Sequence, residues 1–410
     1  CVEIGMYPQI NKKSGWQGCN LTEINGGKCN TEEDFYKACR AASILGTLQA
    51  GYTDFKFLTD TSKLIFDREA LLGVSITGWM NNPDILFNEE ILEKGANIVK
   101  EVNREVAKII KINPAARTTC VKPSGNASVL LQTASGIHAE HSNMYIRNVQ
   151  MNKESEITQA IMKTNPYMVE ESVWSAGGTD VVVSFPILPK KGSMYKDDLL
   201  GVKHLELVKK AQKHWVEAGT NEELCADKGV RHNVSNTIIV DDWDNVERYV
   251  FENRHSFAGI SFLAMSGDKD YNQAPNTAVI TSKQMVKKYG DAAIFASGMV
   301  VDALKCFNNL WDACSTAKGF GEDISLETSE NAIKRDWVRR FKKFGDNYLD
   351  SDSSSAEECL KDAYLLHKWN KIQSTLKTVD WKEDIKERKY TDVDTLAAAA
   401  CAGGACEIDF

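Results

Sequence analysis

The residues best suited to chemistry fall in three places along the 410-residue chain. At its start, Cys1-Val2-Glu3 sets a thiol and a carboxylate at i and i+2, which point to the same side of an extended segment. Cys19 follows eighteen residues after Cys1. The thiol can serve as nucleophile or hydrogen-atom donor and the carboxylate as general base. The second place is Pro123-Ser124-Gly125-Asn126-Ala127-Ser128. Free backbone N–H groups at a turn that opens a helix form an anion site. Ser124, Asn126 and Ser128 add side-chain donors, and Gly125 lets the backbone approach the anion. The third is Cys401-Ala-Gly-Gly-Ala-Cys406, where two thiols on a Gly-Gly tail can close to a disulfide and carry electrons by exchange. Each also has an ordinary reading: a strand edge, a polar turn, two incidental surface cysteines.

These groups need elements to hold them. Thr31 followed by Glu32, Glu33 and Asp34 predicts a capped helix running to about residue 50. Apolar residues at 91, 92, 96, 99, 102, 106, 109 and 110 predict a second helix with one buried stripe. The β-rich segment 117–122 reads as a strand that leads through the Gly125 turn into a helix covering 129–131. Further strands are expected at 179–185, 236–240 and 258–263, and helices near 203–220, 283–290, 291–315, 328–344 and 355–374. Strands alternating with long helices predict an α/β chain with a substantial parallel component.

Composition narrows the class. Hydrophobic residues make up 43% and charged residues 26%, the balance of a globular chain, so disorder is not expected. A net charge of −8 gives no basic footprint for DNA or RNA. No run approaches the roughly 18 apolar residues of a membrane span. No secretory signal is read at the start, so the expected location is the cytoplasm (host cytoplasm for a viral source). The eleven cysteines include no CxxC and no zinc-finger spacing. Cys29, Cys39, Cys120, Cys225, Cys306, Cys314 and Cys359 are therefore expected as core thiols. The seven histidines form no cluster of metal geometry, and no metal site is expected.

Taken together, the three sites resemble the catalytic chain of ribonucleotide reductases, the thiyl-radical enzymes that make deoxynucleotides. Cys1-Val2-Glu3-Ile4 resembles the end of the family's Asn-x-Cys-x-Glu finger loop, and Gly18-Cys19-Asn20-Leu21 the strand bearing one redox cysteine. Gly73-Val74-Ser75-Ile76-Thr77-Gly78 matches a further family segment, and Val121-Lys122-Pro123-Ser124-Gly125 the substrate-phosphate loop. Gly136-Ile137-His138, Tyr145-Ile146-Arg147, His232-Asn233-Val234-Ser235 and Gly259-Ile260-Ser261-Phe262-Leu263 follow as in the adenosylcobalamin-dependent class. The tail 401–408, CAGGACEI, is similar to that class's redox tail. The metal-dependent class uses an adjacent tyrosine pair, and none of the twelve tyrosines here is followed by another. The glycyl-radical class carries an RVxGY-type motif, which this sequence lacks.

The resemblance implies the family's ten-stranded α/β barrel. Residues 1–30 would be the finger-loop tip and redox-cysteine strand, 31–385 the second half-barrel, and 386–410 a flexible redox tail. It implies adenosylcobalamin as cofactor, with Cys1 as the thiyl site, Glu3 as base and Cys19 with a partner thiol as two-electron donor. Cys401 and Cys406 would re-reduce that pair, restored in turn by a thioredoxin-like or glutaredoxin-like protein. Residues 123–128 would hold the substrate's phosphates. The family's Asn, the partner thiol and the effector region would all precede Cys1. The chain is thus expected to be the C-terminal portion of a split, spliced or processed reductase that needs its N-terminal half, as a possible homodimer. Two alternatives stay open: a non-catalytic nucleotide-binding or assembly module of the same fold, and a catalytic subunit with a metal-based radical source. A thiol–disulfide carrier using only Cys401 and Cys406 is a further rival.

Overall fold

The computed structural model describes residues 2–265, 271–319, 329–349 and 353–384, so Cys1, Cys401 and Cys406 lie outside the described residues. The chain divides into two compact units, Cys1–Asn143 with Pro189–Gly267, and Met144–Leu188 with Asp268–Phe410.

The first unit is built on parallel pairing. Strand β1 (Asn20–Asn25) pairs in parallel with β2 (Leu72–Thr77), Leu21 opposite Gly73 and Glu23 opposite Ser75. The expected strand at 117–122 joins β2 through a parallel bridge between Val74 and Thr119. It joins the segment 231–235 through a second, between Val121 and Val234. Parallel neighbours cannot be linked by a tight turn and need crossovers. Helices α1 (Glu32–Ala50) and α2 (Asp60–Glu69) return the chain from β1 to β2. Helix α3 (Glu89–Ile110) returns it to 117–122. After the short α4 (Gly125–Leu131), α5 (Gly201–Ala211) runs into a π-turn at Gln212–Glu217 before 231–235.

Helix α1 starts where its caps dictate. The Thr31 hydroxyl accepts from the Asp34 N–H, and the Asp34 carboxylate accepts from the Thr31 N–H, each at 3.1 Å. The acidic first turn opposes the helix dipole. Helix α1 packs on α3 through a buried polar ladder. Ser43 donates to the Val99 carbonyl, and Asn103 donates to Thr47 while accepting from the Ala115 N–H. Every buried polar group there has a partner, which removes the cost of desolvating it.

The helix-facing side of the sheet is apolar. Ile24, Leu72, Val74, Ile76, Val121 and Val234 share one core with Phe35, Trp79, Leu92 and Trp215. Strand side chains alternate between faces, so the intervening residues Leu21, Glu23, Gly73, Ser75, Cys120 and Lys122 point to the other side. That second face carries the site.

The second unit departs from the expected parallel arrangement. Its four strands, in the order Asn276–Ala278, Tyr145–Asn152, Asp180–Ile187 and Val169–Glu171, are all antiparallel. Beside them, Ala292–Cys306, Leu310–Gly319, Ser329–Tyr348 and Ser353–Thr375 share a helical core around Val300, Leu310, Trp337, Phe341 and Leu360. The single helix expected at 291–315 is two. Phe307 is extended, and the Asn309 side chain accepts from the Asp312 N–H, restarting the chain as a new helix. The strand expected at 236–240 shrinks to Ile238–Val240 because the Asn236 amide bonds the Val234 and Gly259 carbonyls instead of a ladder. The strand expected at 258–263 shifts to Phe262–Ala264. Cys29, Cys39, Cys120, Cys314 and Cys359 are buried as expected, whereas Cys225 is half-buried and Cys306 exposed. The sheets among the described residues are open, and no described helix is long and apolar enough to cross a membrane.

Thr31→Ala should cost about 1 kcal/mol through the lost cap. Asn103→Ala should cost about 1–3 kcal/mol through the orphaned Ala115 N–H. Urea unfolding of the two variants checks that order, and an Asn103→Ala loss no larger than that of Thr31→Ala would contradict the ladder's role.

Candidate functional site

The polar face of the first unit gathers most of the candidate residues within the described chain. Glu3 is 5% exposed. Its segment is laid across the sheet: the Asn233 N–H donates to the Glu3 carbonyl at 2.9 Å and the Asn233 amide to the Val2 carbonyl at 3.2 Å. Gly73 makes room for this. A Cβ there would stand 3.1 Å from both Ile4 Cδ1 and Cys120 Sγ, and 2.5 Å from Leu21 Cδ2. The segment thus seats on β2 where β2 has no side chain.

Cys19 directly precedes β1 and lies within electrostatic reach of Glu3 and Arg117. Burial pushes its thiol well above the usual thiol range, Arg117 opposes that rise and Glu3 reinforces it. Cys120, fully buried, is pushed up by burial and by the neighbouring Cys19, Glu3 and Glu23. Both sulfurs are therefore held as S–H.

Glu23 connects this cluster to the anion loop. Its carboxylate accepts from the Ser124 hydroxyl and, at 3.1 Å, from the Ser75 hydroxyl, whose oxygen accepts from the Lys122 N–H at 2.9 Å. Burial raises the Glu23 carboxyl, against the pull of Ser124, Lys122 and Ser75. Pro123 is half-buried and Ser124 buried, with Ser124 in the left-handed region at φ +56°. Gly125 and Asn126 are exposed, Ala127 half-buried and Ser128 buried. Open space stands where a Gly125 Cβ would be. No side chain caps α4, so its first-turn N–H groups gain no partner from Ser124. The Ser128 hydroxyl, expected as an anion donor, donates instead to the Gly125 carbonyl at 3.1 Å.

Beneath the face lies Glu69. One of its oxygens accepts from Arg117 at 3.0 Å and from the Ala226 N–H at 3.2 Å. The other accepts from Gln17 at 2.7 Å and Arg68 at 3.1 Å. Burial would raise the Glu69 carboxyl, but Gln17, Arg117, Ala226 and Arg68 together hold it below the usual carboxylate range. Glu23 was not singled out from sequence, and Ser75, Cys120 and Lys122 were named there only within motifs or as a core thiol, with no role at the site. Their signal was period-2 spacing, Cys19-Leu21-Glu23 beside Gly73-Ser75, which the register superposes. Glu69 and Arg117 carry no local signal.

Two buried imidazoles, His232 and His204, and the half-buried His138 frame the unit. Burial lowers His232 to about 3 and His204 to about 4, and it lowers His138 as well. A folded state that keeps these rings neutral binds fewer protons than the unfolded chain below about pH 6.5. Stability contributed by the neutral rings is complete above about pH 6.5 and falls as pH drops toward the folded values. Each ring gives a slope of up to about 1.4 kcal/mol per pH unit. Urea unfolding between about pH 7 and about pH 5 should show that loss, and His204→Gln should make it shallower by one proton. An unchanged slope in the variant would contradict a neutral His204.

No family model matches the chain. Over 205 residues it is 27% identical to a probable adenosylcobalamin-dependent ribonucleoside-triphosphate reductase of Dictyostelium discoideum, a match covering 48% of this chain and 26% of that protein. It is 24% identical over 206 residues to the adenosylcobalamin-dependent ribonucleoside-triphosphate reductase of Euglena gracilis, covering 48% and 27%. The corresponding enzyme of Levilactobacillus brevis matches at 20% over 289 residues, covering 68% and 37%. Among solved structures, a B12-dependent (class II) ribonucleotide reductase superposes with a TM-score of 0.55 at 16% identity, over 66% of this chain and 40% of that one. The resemblance drawn from the sequence stands. The chain spans about a quarter of the length of the first two relatives. The structural likeness carries the fold, and the α/β class expected from sequence holds in the first unit.

Proposed function

We propose that this chain is the catalytic C-terminal portion of an adenosylcobalamin-dependent ribonucleotide reductase, an oxidoreductase converting ribonucleotides to 2′-deoxyribonucleotides. The observation that carries this reading is the meeting of Glu3, the Cys19 S–H and the Ser124 loop on one buried polar face. The names of the relatives favour a ribonucleoside triphosphate as substrate. In this reading the parallel strands of the first unit belong to the family's ten-stranded α/β barrel. Residues 1–30 supply the finger-loop tip and redox-cysteine strand, the barrel continues within 31–385, and 386–410 is the redox tail.

The donor set suits adenosylcobalamin. A radical takes a hydrogen atom from S–H, not from a thiolate, and burial keeps the thiols on this face protonated. Val2 and Met6, exposed on the segment that carries Glu3, offer an apolar surface for a corrin face. When bound, adenosylcobalamin supplies a carbon-centred radical by cobalt–carbon homolysis.

The chain's own residues do the rest. Cys1 Sγ, as thiyl, takes the 3′ hydrogen atom of the ribose, Glu3 accepts the 3′-hydroxyl proton, and a thiol of the Cys19 pair gives the proton with which the 2′-hydroxyl leaves as water. Cys19 and a partner thiol upstream of Cys1 give two electrons and their remaining proton, which goes to C2′, and become a disulfide, while Glu3 returns its proton to the 3′ oxygen. Cys1 then returns the 3′ hydrogen and is again a thiyl. Cys401 and Cys406 reduce the disulfide by thiol exchange and are oxidised to a disulfide themselves, which a thioredoxin-like or glutaredoxin-like dithiol restores. The first-turn N–H groups of α4 and the side chain of Asn126 hold the phosphates, with Glu23 fixing the loop through Ser124. The reading places the enzyme in the cytoplasm, completed by the N-terminal half of the same reductase.

The test is deoxynucleotide formation. The chain joined to its upstream portion is given adenosylcobalamin, dithiothreitol and ribonucleoside triphosphates. Product that depends on adenosylcobalamin is expected, and its absence from a folded, nucleotide-binding protein would overturn the reading. Glu3→Gln should lower kcat by roughly 10²–10⁴ with KM little changed. Cys19→Ser should abolish sustained turnover while nucleotide binding persists.

A further inference from the structure

The segment that carries Glu3 is fastened by one ring. His232 is fully buried and uses both nitrogens: Nδ1 accepts from the Gly5 N–H at 3.1 Å and Nε2–H donates to the Leu72 carbonyl at 2.8 Å. That pairing requires the neutral Nε2–H tautomer, since a protonated ring has no acceptor for Gly5. One end of the ring therefore holds the N-terminal segment and the other holds β2, the strand on which Ile4 seats.

The ring itself cannot drift. Gln212, in the π-turn after α5, donates to the His232 carbonyl at 3.1 Å and accepts from the Val234 N–H at 3.1 Å. The segment is equally confined. A Cβ on Gly5 would stand 2.0 Å from the Arg231 carbonyl oxygen, so backbone lies directly on backbone there. Asn233 closes the grip with its bonds to the Glu3 and Val2 carbonyls. Glu3 thus sits between two attachments supplied by adjacent residues, His232 and Asn233, of one segment.

We propose that His232 is a positioning residue for the reaction. As a neutral two-ended clamp it sets the height of the Val2–Gly5 segment above β2 and so aims the Glu3 carboxylate. It touches no reacting atom. The proposal rests on the reductase reading for its catalytic consequence, while the clamp itself is a property of this chain. A base displaced by about 1 Å loses on the order of 10²-fold in rate without losing substrate affinity.

Two variants separate the ends of the ring. In His232→Asn, Oδ1 replaces the Nδ1 acceptor for Gly5 and the donor to Leu72 is lost. In His232→Gln, Nε2 replaces the donor to Leu72 and the acceptor for Gly5 is lost. The measurement is hydrogen–deuterium exchange at the Gly5 amide, with kcat and KM, on the full-length enzyme. His232→Gln should speed Gly5 exchange at least about tenfold and lower kcat with KM unchanged, and His232→Asn should restore most of both. Gly5 exchange unaltered in His232→Gln would overturn the clamp. Faster exchange with unaltered kcat would overturn its positioning role, and so would a joint collapse of kcat, KM and melting temperature in both variants. If the wild-type enzyme makes no deoxynucleotide, the reductase reading fails by itself and the Gly5 exchange still decides the clamp. A direct reading on unmutated protein is the 15N spectrum of His232. An acceptor Nδ1 and a protonated Nε2 are expected to persist down to about pH 5, and a doubly protonated ring there would refute the assignment.

Discussion

Everything on the polar face depends on a single buried carboxylate. Glu69 ends α2, is fully buried, and accepts hydrogen bonds from its neighbour Arg68 and from three other pieces of chain, at Gln17, Arg117 and Ala226. Its central partner, Arg117, is fully buried too. An ion pair in that position is a poor source of net stability, because removing two charges from water costs nearly what their attraction returns. Breaking it by deleting one member is another matter, since the remaining charge would be stranded at a cost of roughly 3–5 kcal/mol. The pair therefore acts as a constraint on geometry. The loop before β1, the bridged segment 117–122 and the loop at 226 must meet at one point, or a charge is left unpaired.

That meeting point sets the chemistry above it. Arg117 is the cation closest in effect to Cys19, yet burial outweighs it and the thiol remains protonated. Burial, with Glu3 adding to it, keeps Cys19 and Cys120 as S–H beside Glu3 and Glu23. A hydrogen-atom donor, a carboxylate and an anion loop can share one small face only if their charges are balanced elsewhere. In this unit the balance lies one layer below, in Glu69 and Arg117.

The two units solve burial differently, and this explains which expectations held. In the first, period-2 alternation on consecutive parallel strands made one face apolar for the helices and left the other polar. The capping box at Thr31, the stripe of α3 and the turn-helix at 123–131 were readable because cap chemistry and periodicity are local, whereas the strand expected at 117–122 forms only isolated bridges. In the second, the sheet is antiparallel and the helices after it form their own core. Sequence alternation alone predicts the elements there but not the direction in which they pair. The break between Cys306 and Leu310 was missed for a related reason: one Asn cap within an otherwise helical pattern outweighs its periodicity.

The sequence by itself determined the elements and the candidate chemistry: thiols at 1, 19, 401 and 406, a carboxylate two residues after the first thiol, and a Gly-containing turn ahead of a helix. These are statements about residue types at short spacing, which local sterics and hydrogen bonding control. Only the tertiary structure decided which of the described residues meet. Glu23 reaches Ser124 across about a hundred residues of chain (|i−j| = 101), His232 reaches Gly5 across 227, and Glu69 reaches Arg117 across 48. No periodicity encodes such pairings. They follow from strand register, and register is fixed by burying the apolar face of the whole sheet at once.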